Sequence, residues 1–98
     1  MAHDLAPEAG RDLADVAYYI ARETGSIDIA ERPIDSIASR FYLLSSHPRI
    51  GRARDDLLAG ARSCPVGNYV IFYDLDGGDV RILRVAHGRR HLIALFGR

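Results

Sequence analysis

The stretch 80–91, "VRILRVAHGRRH", gathers Arg81, Arg84, His87, Arg89, Arg90 and His91 into one short window. Arginine offers a planar, permanently charged fork that matches a phosphate or a carboxylate. Histidine titrates near neutrality and can move a proton. Together the two residue types could cleave RNA, with arginines offsetting phosphate charge and histidine acting as base or acid. The same cations could instead clamp an acidic protein partner. Arg62, from the earlier stretch "ARSCP", could join either arrangement. Other chemistry is thinly represented. Cys64 has no second cysteine to pair with, no base beside it and a proline after it, and no Cys/His spacing suggests zinc. His3, His47, His87 and His91 are scattered along the chain. The reading therefore assigns no metal, no cofactor and no cysteine nucleophile.

Composition narrows the choice. At 98 residues with 48% hydrophobic side chains, the expectation is one domain over 1–98 around a single core. Thirteen basic and thirteen acidic residues cancel, which argues against a whole-protein basic footprint for nucleic acid. Every basic residue is arginine and none is lysine, as GC-rich coding or repeated bidentate recognition would give. No apolar run approaches the ~20 residues of a membrane span, and no secretory signal pattern opens the chain. The expected location is the cytoplasm.

The elements that must hold these residues can be read in order. Pro7 suits the first turn of a helix and Glu8 its positive end. Ala9, Leu13, Val16, Ala17 and Ile20 then keep helical spacing, leaving Asp12, Asp15 and Arg22 for the wet side. Gly25 stops this helix and Ser26 can cap the next. There Ile27, Ala30, Ile34, Ile37, Phe41 and Leu44 form one stripe, interrupted by Pro33, which predicts a kink. Tyr18 and Tyr19 are expected to pack or rim the helices. His47-Pro48 ends the second helix. Residues 48–60 lack a period and read as a loop, whose Arg49, Arg52 and Arg54 could grip an acidic partner.

The C-terminal half reads as β: a short strand over 61–65, a strong one over 69–75 ("YVIFYDL"), a tight turn at "DGGD", and a return strand over 80–87. Residues 3–6 could add an edge strand. The class is α+β, a helical hairpin on one face of a small antiparallel sheet in the order β-α-α-β-β-β. Strict alternation puts Tyr69, Ile71 and Tyr73 on one face and Val70 and Phe72 on the other. It likewise groups Val80, Ile82 and Arg84 against Arg81, Leu83, Val85 and His87. Both faces are apolar and two helices cover one, so the second is expected to need a partner. The alternative is that Leu92, Ile93, Leu95 and Phe96 fold back over it.

Taken together, "LAPEAGRDLADVAYYI", "HPRIGRARDDLLAGARSCPVGNYVIFY" and "VRILRVAHGRR" resemble the ParE toxins of bacterial toxin–antitoxin modules, within the RelE/ParE superfamily. The resemblance runs over essentially the whole chain. It implies a toxin neutralised by a ParD-like antitoxin that wraps it in a hetero-oligomer and carries the DNA-binding half. ParE members are associated with poisoning DNA gyrase, whereas RelE members cut messenger RNA on the ribosome.

RelE-like toxins are understood to place a tyrosine or histidine near the C-terminus, where this chain has Phe96, which cannot move a proton. Many ParE-like sequences follow the arginine pair with an acidic residue, where this chain has His91. The expectation is a non-enzymatic, plasmid-stabilisation type of gyrase inhibitor. The alternatives are a RelE-like ribonuclease and a degenerate, non-toxic antitoxin-binding member. The residues expected to meet antitoxin or target are Arg62, Tyr69, Phe72, Arg81, Arg84, His87, Arg89, Arg90 and His91, none of them catalytic. Arg84, on an apolar strand face, is expected to need a carboxylate, for which the antitoxin is the natural source.

Overall fold

The computed structural model describes residues 3–88 and Phe96. Strand β1 (His3–Leu5) leads into helix α1 (Pro7–Thr24), and α2 (Ile27–Ser46) follows directly. Four more strands complete the order: β2 (Arg52–Ala53), β3 (Arg62–Val66), β4 (Tyr69–Asp76) and β5 (Asp79–His87). The turn between the helices forms for local reasons. Gly25 adopts φ 70°, its N–H donates to the Ala21 carbonyl, and Ser26 Oγ accepts the Ile29 N–H at 3.3 Å. Pro33 sits inside α2 without breaking it.

The strands form one sheet in the order β1-β5-β4-β3-β2. The β4–β5 hairpin turns at Gly77 and Gly78, with φ 60° and 90°, as a tight turn between right-twisted strands requires. β1 runs parallel to β5, His3 opposite Val80, so the sheet is mixed and not antiparallel throughout. Part of the expected 48–60 loop is also strand: β2 pairs antiparallel with β3, Arg52 opposite Ser63.

The helices bury one sheet face. Ala9, Ile37, Phe41 and Leu44 meet Ile71, Tyr73, Val80, Ile82 and Val85 there. Ile27, expected in the apolar stripe, is the first residue of α2 and is instead 71% exposed. His3 clasps β1 to α2: its ring lies 5.0 Å from Tyr42 and 5.6 Å from Phe41, and Nδ1 is 3.2 Å from Ser45 Oγ.

The opposite face carries a smaller cluster of Leu57, Phe72 and Ala86 with Val70 and Phe96. Phe96 packs edge-on against Phe72, ring centroids 5.4 Å apart. At Phe72, therefore, the chain itself supplies the cover that the sequence reading assigned to a partner. Leu92, Ile93 and Leu95 lie outside the described residues.

A register shift changes which β5 residues share a face. Tyr73 faces Ile82 but Phe72 faces Arg84, leaving Leu83 as the extra residue of a bulge. Val85 thereby joins Val80 and Ile82 in the core, and Arg84 leaves the face that strict alternation gave it.

Candidate recognition site

The bulge delivers Arg84 to α1. Its Nε and a terminal nitrogen donate to the two carboxylate oxygens of Asp12 at 2.8 and 3.0 Å. Asp12 Oδ2 also accepts the Val85 backbone N–H at 2.9 Å. Asp12, expected on the wet side of its helix, is only 7% exposed, and the carboxylate that Arg84 needed comes from the same chain. The bond to Asp12 holds the Arg84 guanidinium protonated even beyond its ordinary range, against the opposing effect of burial.

Other strand cations are also engaged within the chain. Arg81 makes a bidentate pair with Asp74 directly across the hairpin, at 3.2 and 2.9 Å. Arg62 donates to the carbonyls of Gly51 and Arg49 at 2.9 and 3.0 Å, which secures the segment leading into β2. Tyr73 completes that anchorage from beneath: its hydroxyl donates to the Pro48 carbonyl at 2.7 Å and accepts the Gly51 N–H at 2.9 Å. Burial pushes the Tyr73 hydroxyl above its usual pKa. Arg54 pairs with Asp56, while Arg49 and Arg52 are exposed.

Phe72 is fully buried, so a partner would reach it only by displacing Phe96. Tyr69 and His87 stand opposite each other at the far end of the β4–β5 ladder, edge to face at 5.6 Å. Desolvation, reinforced by nearby Tyr19, pushes the Tyr69 hydroxyl up. Arg89, Arg90 and His91 lie outside the described residues.

Tyr18 and Tyr19, expected to pack or rim the helices, are 68% and 62% exposed. Neither they nor Asp12 carried a signal of their own. An acid and two tyrosines on an amphipathic helix look the same whether they are solvated or engaged.

The geometry thus presents an α1–β5 flank lined by Tyr19, Tyr69 and His87, over strands whose cations are largely engaged within the chain. The comparisons with known proteins bear on the family of the whole chain. Residues 4–92 match the family model described as "ParE toxin of type II toxin-antitoxin system, parDE". The chain belongs to the ParE toxin family.

Among curated ParE proteins, Toxin ParE3 of Caulobacter vibrioides is 40% identical over 76 residues, covering 78% of this chain and 76% of the relative. Toxin ParE1 of the same organism is 32% identical over 92 residues, covering 90% and 94%. Toxin ParE1 of Mycobacterium tuberculosis is 29% identical over 86 residues, covering 87% of each. A solved chain from the chromosomal ParDE system of P. aeruginosa superposes with a TM-score of 0.77 at 18% identity, covering 89% of this chain and 95% of that one, a likeness of fold. This ParE-type toxin of a type II toxin–antitoxin system is therefore an α+β domain with two helices on a five-stranded mixed sheet. Among the described residues, no helix is long and apolar enough to cross a membrane.

Proposed function

We propose that this ParE-type toxin acts in the cytoplasm by binding DNA gyrase rather than by breaking a bond. A ParD-like antitoxin holds it inactive in a hetero-oligomer and supplies the contact with DNA. The observation that carries the reading is the commitment of the strand cations. Arg62 serves backbone carbonyls, Arg81 serves Asp74 and Arg84 serves Asp12. Cleavage of RNA needs arginines aimed at a phosphate beside a group that moves a proton. The ring of Phe96 near Phe72 has no such group to offer. A surface built this way recognises a partner by shape and charge.

The test is gyrase-dependent supercoiling of relaxed plasmid with purified toxin added. Supercoiling is expected to fall as toxin is added and to recover when antitoxin is mixed in first. Induced expression without antitoxin is expected to give filamentation and DNA-damage signalling. Full supercoiling in the presence of excess toxin would sink the reading. Codon-positioned cuts in translated messages would replace it with the ribonuclease.

A further inference from the structure

A cleft of about 290 Å³ lies between α1 and the end of the β4–β5 hairpin. Its lining includes Asp15, Val16 and Tyr19 from the helix and Tyr69, Ala86 and His87 from the strands. Asp15 stands one turn beyond Asp12 and one turn before Tyr19 on the same face of α1. Asp12 is committed to Arg84 and Val85, whereas Asp15 is exposed and enters no ion pair among the described residues. The cleft therefore offers one unspent carboxylate flanked by two tyrosine rings.

We propose that this cleft receives an arginine side chain of the protein partner, with its guanidinium bonded to Asp15 and stacked on Tyr19 and Tyr69. A guanidinium suits the place because it is planar, attracted to the negative face of an aromatic ring, and able to reach a carboxylate with its edge. An acidic group would meet the Asp15 and Asp12 carboxylates and is disfavoured. Desolvation of the Tyr69 hydroxyl favours its neutral form, so the ring remains a phenol rather than a phenolate.

Backbone pairing is closed off by the same geometry. The bond from the Gly88 N–H to the Asn68 carbonyl, with the pairing of Val70 to Ala86, sets the alternation of the ladder. It turns the peptide groups of Val85 and His87 toward the outer edge of β5. Asp12 already holds the Val85 N–H there, where an added strand would have to run. The partner enters with a side chain, not with a strand.

The identity of the partner as the antitoxin rests on the toxin–antitoxin reading above, but the chemistry of the cleft does not. The experiment accordingly has two arms. In the first, the full chain is titrated with Nα-acetyl-L-arginine amide while the tyrosine ring signals are followed by NMR. Saturable shifts at Tyr19 and Tyr69, with Tyr18 unmoved, are expected. The neutral isostere Nα-acetyl-L-citrulline amide should bind more weakly, and Asp15→Asn and Tyr19→Leu should each weaken the arginine derivative by about threefold or more. Equal shifts with the citrulline compound, no saturable shift, or indifference to Asp15→Asn would each overturn the proposal.

In the second arm, Asp15→Asn should weaken the complex with a ParD-like antitoxin by at least a similar factor. An unchanged affinity would overturn the assignment of the cleft to the partner while leaving the toxin reading intact. Failure of the unmodified chain to bind any such antitoxin would instead count against the toxin reading, and the titration would still decide whether the cleft holds a guanidinium.

Discussion

The two edges of the sheet meet the same difficulty with opposite chemistry. On one side β1 covers β5 only from Val80 to Ile82; on the other β2 covers β3 only at Arg62 and Ser63. Each short strand leaves part of a longer neighbour bare, and a bare edge invites pairing with another chain. Beyond β1, Asp12 of α1 takes the outward-facing, buried Val85 N–H and is itself neutralised by Arg84. Beyond β2, Arg40 of α2 reaches the Pro65 carbonyl at 3.3 Å and the Cys64 sulfur at 3.5 Å, and it enters no ion pair among the described residues. Pro65 helps, because a proline on an edge has no N–H to offer an incoming strand.

One edge is thus shut by a largely buried, compensated ion pair, and the other by a cation without an ion pair among the described residues, a proline and the anchorage of Gly51. The comparison teaches that the helices here do more than cover a face. Each finishes a sheet edge that its adjoining strand is too short to finish. It also explains why side-chain recognition, rather than strand addition, is the way into this molecule.

The comparison can be broken from the β5 side with the largest effect. Asp12→Ala removes the bidentate partner of Arg84 and the acceptor of the Val85 N–H together, and is expected to cost about 3–5 kcal/mol in urea denaturation. Asp12→Asn, which retains an acceptor for Val85, should lose less. Equal losses for the two would assign the stability to the charge pair and not to the backbone bond.

On the β2 side the sharpest change is Gly51→Ala. A Cβ there would stand 2.8 Å from the Ser63 carbonyl oxygen and press into the Tyr73 hydroxyl, so about 1–3 kcal/mol should be lost. A neutral result would show that the segment before β2 gives way easily, and that this edge is looser than its hydrogen bonds suggest. Arg40→Ala removes the cation that caps Pro65 and should cost only about 0.5–1.5 kcal/mol, because solvent can replace it.

Smallest at neutral pH is the contribution of the Tyr73 ionisation. Its folded pKa is raised, so its share of stability is fully present below the unfolded value of about 10 and is lost as pH rises beyond that. Tyr73→Phe should flatten the decline in alkaline stability measured by thermal unfolding, whatever it costs at neutral pH. An unaltered slope would show that other tyrosines govern that decline.

Local signals account for most of what could be read in advance. Pro7, Gly25, Ser26 and the Gly77-Gly78 turn act through their own backbone preferences, which do not depend on distant neighbours. The candidate site was legible only in outline. Tyr69 and His87 were named in advance as contact residues and Tyr19 as a packing or rim residue, whereas Asp12 and Asp15 were read only as wet-side acids, because helical periodicity sorts residues by polarity and not by what stands opposite them. Arg84 has the carboxylate it was expected to need, but the strand face assigned to it was wrong for a single physical reason. One extra residue at Leu83 reverses the alternation downstream of it, and nothing about a leucine in a strand announces a bulge.

By itself, then, the amino-acid sequence determined the two helices, the three longer strands, the α+β class and the family, since these follow from short-range preference and from motifs spread along the chain. Only the tertiary structure decided that β1 lies parallel to β5, that Phe96 covers Phe72, and that the carboxylate for Arg84 is Asp12, 72 residues away. Such pairings depend on which surfaces the packed helices leave within reach, and no local propensity encodes that distance.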